Sequence, residues 1–219
     1  MSSDLRGVLF IVSSPSGGGK TTLIRETIDR LADRGIEGHF SISHTTRPAR
    51  PAETDGVDYF FVDESAFEAM VQRGDFLEWA EYAGYRYGTS RSAVEAELAA
   101  GRDVFLDIEV QGASQVKTQI PDVVKIFLYP PSYEVLKTRL RERRQDAQDT
   151  IQRRLRWAVR EFQVAGEFDY AIINDRLEQA VNALFGICIA EHQKSTRMKP
   201  HLDAIRKTFQ ESLEKDFNR

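Results

Sequence analysis

The sequence predicts an α/β fold: a P-loop core built on a parallel sheet flanked by helices, with a β-rich insert and an arginine-rich lid. Three observations predict it. Short β-rich apolar runs alternate with stretches of helical periodicity through most of the 219 residues. A glycine-rich turn, Ser13-Ser14-Pro15-Ser16-Gly17-Gly18-Gly19-Lys20-Thr21-Thr22, joins the first run, Val8–Val12, to the first helix. A second β-rich cluster, carrying most of the early aromatic residues, interrupts the alternation between the first and later strands.

The glycine-rich turn carries the most chemistry. Its glycines let backbone N–H groups face a phosphate, and the helix N-terminus behind adds its dipole. Lys20 supplies a cation for the β- and γ-phosphates, and Thr21 a hydroxyl for Mg²⁺. Ser14 stands where the G-x-x-x-x-G-K-[ST] pattern has its first glycine. A flexible Gly/Ser linker is the competing reading, and the strand and helix on either side argue against it.

Composition bounds the rest. With 41% hydrophobic and 29% charged residues this is a globular composition, and the net charge of −4 gives no reason to expect nucleic acid or a membrane as partner. No run reaches transmembrane length. The one cysteine, Cys188, lies in an apolar stretch and fits a reducing cytoplasm. His39, His44, His192 and His201 lack metal-ligand spacing.

Taken in order, Leu23, Ile24, Ile28 and Leu31 give a helix from Thr21 to Ala32, closed by Gly35 and Gly38. Phe40–Ser43 reads as a strand, followed by a proline-braced loop from Thr45 to Glu53. Tyr59–Val62 and Phe76–Tyr82 read as strands with a helix at 64–72 between them, and Ser90–Ala100 as a helix. Val104–Val110 is a core strand that places Asp107 and Glu109 on one face. A helix at 111–120, a strand at 123–129 and two helices around a polar stretch at 145–149 follow. Phe168–Ile173 is the last strand and Leu177–Glu191 the helix after it. The domain then spans residues 4–193, with core 4–43 and 101–193, insert 44–100 and lid about 139–156, before a helical tail at 194–219. In that tail Leu202, Ile205, Phe209, Leu213 and Phe217 form one stripe, suited to core packing or to a homo-oligomer rather than to a membrane.

Several side chains outside the glycine-rich turn suggest recognition. Arg47 and Arg50, with Tyr59, Tyr87 and Thr89 in the same insert, are what a second phosphate group requires. Glu78 sits inside an apolar strand pattern, where an unpaired carboxylate is costly. It suits the paired N–H donors of a guanine edge, or an ion pair with an arginine. Asp107 and Glu109 can hold Mg²⁺ through water, accept from a base, or pair structurally with Lys20. Arg139, Arg141, Arg143, Arg144, Arg153, Arg154 and Arg156 crowd the two lid helices, as a closing lid or a solvated face.

The set resembles the guanylate kinase family. Besides the turn, the matching stretches are Ser43–Arg50, Asp58–Phe61, Phe76–Ala80, Tyr87–Ser90, Leu106–Gly112, Pro130–Ser132 and Ile173–Asp175, in family order. The resemblance implies a small-molecule enzyme for GMP and ATP with Mg²⁺. It implies an ATP site at Ser14, Pro15, Ser16, Gly17, Gly18, Gly19, Lys20, Thr21, Thr22 and Asn174. The GMP site would be Arg47, Arg50, Tyr59 and Tyr87 at the phosphate, with Ser43, Glu78, Thr89 and Asp107 reading guanine. Lys20, Arg47, Arg139, Arg143 and Arg154 would be catalytic, with Thr21 and Asp107 at the metal. Departures are Glu142-Arg143-Arg144-Gln145 where the family carries Gly-Arg-Gly, Glu109 for a common Asp, and Arg176 after Asp175. A guanylate-kinase-like peptide-binding module and a kinase for another nucleoside monophosphate are the alternatives.

Overall fold

The structure is a computed structural model that describes residues 6–82, 84–142 and 148–217. Five parallel strands form the main sheet: β1 (Leu9–Ser13), β2 (Gly38–Phe40), β7 (Asp103–Asp107), β8 (Val124–Tyr129) and β9 (Tyr170–Ile173), in the order β2-β7-β1-β8-β9. A strand buried on both faces needs no polar side, and β1 is apolar and covered throughout its first four residues. Its alternating side chains feed two cores. Val8, Phe10 and Val12 pack with Leu23, Ile24 and Leu31 of α1 (Lys20–Ala32) and with Val181, Leu184 and Cys188 of α7 (Leu177–His192). Leu9 and Ile11 pack on the other face with Val94 and Leu98 of α3 (Arg91–Ala99) and with Ala113 and Val116 of α4 (Val110–Gln119).

The insert is a second sheet of β3 (His44–Thr45), β4 (Phe60–Phe61), β5 (Phe76–Tyr82) and β6 (Tyr85–Ser90), in the order β4-β3-β6-β5. It carries α2 (Glu64–Arg73), which Asp63 caps by accepting the Ala66 N–H at 2.7 Å and which Gly74 ends at φ 71°. Helix α4 ties the insert to the core. Gln115 accepts the Trp79 N–H at 3.2 Å and donates to the Trp79 carbonyl at 3.1 Å, while Gln119 donates to the Leu77 carbonyl at 2.6 Å.

Three expectations need correcting. The strand anticipated at Phe40–Ser43 lies at Gly38–Phe40, because these residues pair with Asp103–Phe105 and Gly38 is thus strand, not helix stop. The strand drawn through Val110 ends at Asp107: Glu109 takes the N-cap position of α4 at φ −79°, ψ 165°, so the two acids do not share a strand face. Strand β6 has no counterpart among the expected elements, because its Tyr-Arg-Tyr-Gly-Thr-Ser sequence has no apolar alternation.

Helices α5 (Tyr133–Glu142) and α6 (Gln148–Val164) pack through Leu136, Leu140, Leu155 and Ala158. The last helix, α8 (Ser195–Phe217), lies where the helical tail was expected, with Pro200 inside its second turn. It has no buried residue, so its stripe is not packed on the core. Among the described residues no helix is long and apolar enough to cross a membrane.

Asp103 fastens the far end of this framework. It is fully buried, accepts the Val8 N–H at 2.8 Å, and bonds His192 Nε2 at 2.8 Å through its other oxygen. Asp103→Ala leaves the Val8 donor buried without a partner. The cost is expected at about 2–3 kcal/mol, or roughly 5–10 °C in Tm, measured by calorimetry.

Candidate active site

Strand register sets the site. Val12 pairs with Asp107 across β1 and β7, so the carboxyl end of one strand delivers the glycine-rich turn and the other an acid beside it. Gly17 and Gly19 hold φ of 88° and 91°, which a side chain rarely tolerates. Gly19 is also the N-cap of α1 and brings no side chain to its first N–H groups, and no acid occupies that first turn. Those donors and the dipole therefore face an anion unopposed. Ser14 is buried, and its hydroxyl donates to the Pro15 carbonyl at 2.9 Å, the same acceptor that the Gly18 N–H uses.

The turn is braced from three sides. Asn174, just past β9, donates its side-chain amide to the Gly18 carbonyl at 2.8 Å. A Cβ on Gly19 would stand 2.6 Å from that amide nitrogen, so the glycine permits the brace. Arg139 of α5 donates to the Asn174 carbonyl at 2.9 Å, and its Nη1 is buried with no hydrogen-bond partner among the described residues. Arg154 of α6 donates to Ser16 Oγ at 3.0 Å. Of the three anticipated lid arginines, Arg154 thus reaches the turn and Arg139 the Asn174 that braces it; Arg143, with Arg144 and Gln145, lies outside the described residues.

At the mouth of the turn, Lys20 Nζ lies 3.0 Å from the Ser14 carbonyl and 3.5 Å from Asp107 Oδ1, while Thr21 donates to Asp107 Oδ2 at 2.8 Å. Thr22 is exposed in the same helical turn. Hydroxyl and carboxylate oxygens side by side fit Mg²⁺, which takes few protein ligands and completes its shell with phosphate and water. No three His, Cys, Asp or Glu side chains among the described residues form a full metal cage.

The insert contributes two further sets. Arg47 Nη2 bonds Glu53 Oε1 at 2.7 Å and its guanidinium lies 5.4 Å from the Tyr59 ring centre. Arg50 donates its backbone N–H to Glu53 Oε2 at 2.9 Å, and its side chain is largely exposed. The Tyr59 and Tyr87 rings stand edge to face at 5.9 Å. Burial raises the Tyr59 pKa, and the Asp107 charge adds to it, so this set borders the strand-end acid. Glu53, which sequence reading passes over, organises both arginines and is itself held below the usual carboxylate range by Arg47. Its signal is its place three residues after Arg50, the other end of the braced loop.

The second set is Glu78 and Thr89. Glu78 is 6% exposed and accepts from Thr89 Oγ1 at 2.6 Å. A register shift between Phe76 and Glu78 breaks the strand alternation and turns the carboxylate inward. Gly112 of α4 makes room for it, since a Cβ there would lie 2.6 Å from Glu78 Oε2. No arginine pairs with Glu78 among the described residues, so the ion-pair alternative falls. Burial pushes its pKa to about 7; the Thr89 bond opposes this and the Glu109 charge reinforces it. Ser43 is half-buried just before β3, its carbonyl accepting the Phe60 N–H at 2.9 Å.

A fourth cleft carboxylate escapes sequence reading. Glu161 of α6 is raised to about 7, mainly by burial and then by the Glu109 charge, with Lys20 opposing. Glu109 is exposed at the cleft mouth, yet the surrounding protein and Asp107 raise it too. Glu161 stands seven residues after Arg154 on the same helical face, which is the legible cue.

The parallel sheet, the glycine-rich turn and its lysine define a P-loop α/β protein, of the class that binds nucleotide phosphates. The family model for guanylate kinase matches residues 6–191. A guanylate kinase of Thermus thermophilus is 47% identical over 213 residues, 97% of this chain and 94% of its own length. That of Coxiella burnetii is 49% identical over 183 residues, 84% of this chain and 87% of its own. The crystal structure of guanylate kinase from Anaplasma phagocytophilum superposes with a TM-score of 0.71 at 32% identity, covering 89% of this chain and 90% of its own. The chain belongs to the guanylate kinase family.

Raised carboxyls in the cleft have a consequence for stability. A carboxyl at about 7 in the folded protein and near its ordinary value when unfolded stabilises the fold at low pH and loses that contribution as pH rises to about 7. Glu161→Gln removes the loss. The variant is expected to match the parent near pH 4 and to exceed it near pH 8 by about 2 kcal/mol in urea unfolding.

Proposed function

We infer that this protein is a guanylate kinase, moving the γ-phosphoryl group of ATP to the phosphate of GMP to give ADP and GDP. The observation that carries the acceptor assignment is Glu78: a buried carboxylate with a hydroxyl partner and no cation paired with it among the described residues. Guanine presents N1–H and N2–H₂ side by side to such an acceptor, whereas adenine presents an acceptor at N1. Ser43, Thr89 and Asp107 complete the base-reading set. Arg47, Arg50, Tyr59 and Tyr87 take the GMP phosphate, two as guanidinium forks and two as neutral donors.

On the donor side Ser14, Pro15, Ser16, Gly17, Gly18, Gly19, Thr21 and Thr22 wrap the ATP phosphates, with Asn174 holding the turn in shape. A phosphate oxygen of GMP forms the new P–O bond as the β,γ-bridging P–O bond breaks, and those electrons leave on the β-phosphate of ADP. The attacking oxygen is already anionic near neutral pH, so no strong general base is required. What the chain supplies is alignment and charge. Lys20, Arg139, Arg143 and Arg154 gather on the transferring group, and the unpartnered Arg139 Nη1 has a donor to offer it. Mg²⁺, held by Thr21 and through water by Asp107, would neutralise the β- and γ-oxygens. Lys20 in an intact turn argues against a non-catalytic peptide-binding role. The same reading puts the protein in the cytoplasm.

Lys20→Ala should keep the fold and lower kcat by on the order of a thousandfold, read in a coupled ADP-release assay beside circular dichroism. Normal turnover with a normal spectrum would remove the turn from the chemistry.

Glu78→Gln sets one donor against an edge that offers two. KM for GMP is expected to rise on the order of a thousandfold while KM for ATP stays nearly fixed. Because the carboxylate form binds guanine and the group titrates at about 7, the parent's KM for GMP should fall between about pH 6 and pH 8. The glutamine variant should lose that slope.

A further inference from the structure

Helix α8 is rooted firmly and then leaves the body of the protein. Glu191, fully buried, accepts from Tyr170 at 2.7 Å and pairs with Lys194 at 2.7 Å and Arg197 at 3.9 Å. Arg197 also donates to the Asp122 carbonyl at 3.0 Å. These bonds fix the direction of the helix at its first turn. Beyond His201 every described residue is exposed, including all five of the stripe: Leu202 37%, Ile205 53%, Phe209 68%, Leu213 53% and Phe217 82%. Apolar side chains along one edge of an exposed helix are unfavourable in water.

Charge identifies what covers the stripe. Within the stripe, residues 202–207 hold Arg206 and Lys207 against Asp203, two cations to one acid, a net +1. Residues 208–217 hold Glu211, Glu214 and Asp216 against Lys215, three acids to one cation, a net −2. We propose that the partner is a second copy of this chain, with the two α8 helices packed antiparallel along their apolar stripes in a two-fold symmetric dimer. Each basic half then lies on the acidic half of its copy, and the helix dipoles oppose. A parallel pair sets like on like. An acidic peptide matches only the first half, and an anionic lipid surface repels the second. Two-fold closure also leaves no apolar stripe free to add further copies.

The midpoint of the stripe lies within one residue of Phe209, so in the antiparallel dimer the two Phe209 residues meet. The two Lys199 residues stand about 30 Å apart along the axis. Sedimentation equilibrium of the full chain at tens of micromolar is expected to give twice the 25.0 kDa chain mass. Phe209→Glu with Leu213→Glu should return a single-chain mass with kcat unchanged, which also shows that the variant is folded. Under mild oxidation Phe209→Cys should link two chains and Lys199→Cys should not, since a disulfide needs Cα atoms within about 7 Å. A single-chain mass for the parent, or a dimer that survives the double substitution, overturns the proposal. So does cross-linking at Lys199→Cys, which means a parallel pair, or none at Phe209→Cys. Binding of a single-chain species to phosphatidylglycerol vesicles would assign the stripe to lipid and overturn it as well.

Discussion

The site depends on one adjacency, the pairing of Val12 with Asp107 across β1 and β7. Parallel strands end at the same edge, so the turn leaving β1 and the acid ending β7 arrive together. Lys20 and Thr21 then share that acid at 3.5 and 2.8 Å. Shift β7 by one residue and Asp107 points to the opposite face of the sheet. The buried apolar packing of Val104, Phe105 and Leu106 on two faces forbids that shift. Core packing thus protects the chemistry without touching it.

Charge in the cleft is arranged in two layers. Lys20, Arg139 and Arg154 converge on the turn, whereas Glu78, Asp107, Glu109 and Glu161 occupy the floor and mouth. The acids raise one another: Glu109 acts on Glu78 and on Glu161, and Asp107 acts on Glu109. Burial, with the Glu109 charge added, holds Glu78 and Glu161 at about 7, so these two are partly protonated near neutrality and repel a polyanion less.

Much of this was legible in the residues. The glycine-rich turn, the buried β1 and the helical periods are local patterns, and each element they predicted is present. Boundaries failed where pairing decided. Gly38 belongs to β2 because Asp103 lies beside it, and Glu109 lies outside the strand because α4 begins at Val110. Strand β6 has no apolar alternation and exists through its two antiparallel neighbours. Glu78 was legible as an oddity, a charge inside an apolar run. What surrounds it came from Gly112, thirty-four positions away. Glu53 and Glu161 were hidden because an exposed-looking acid near arginines resembles an ordinary solvated ion pair.

Helix α6 joins these parts. Arg154, Trp157 and Glu161 fall at i, i+3 and i+7, on one face. Arg154 reaches Ser16 of the turn at 3.0 Å, and Trp157 meets the Tyr82 ring of the insert at 5.5 Å between centres. Glu161 feels Glu109 and Lys20 at the strand ends. Its opposite constraint is Leu155 and Ala158, packed with Leu136 and Leu140 of α5. A helix of 17 residues moves as one body. Any displacement of α6 therefore changes its contacts with the turn, the insert and the acids together. That mechanical coupling lets the insert and the glycine-rich turn respond to each other through a single rigid element.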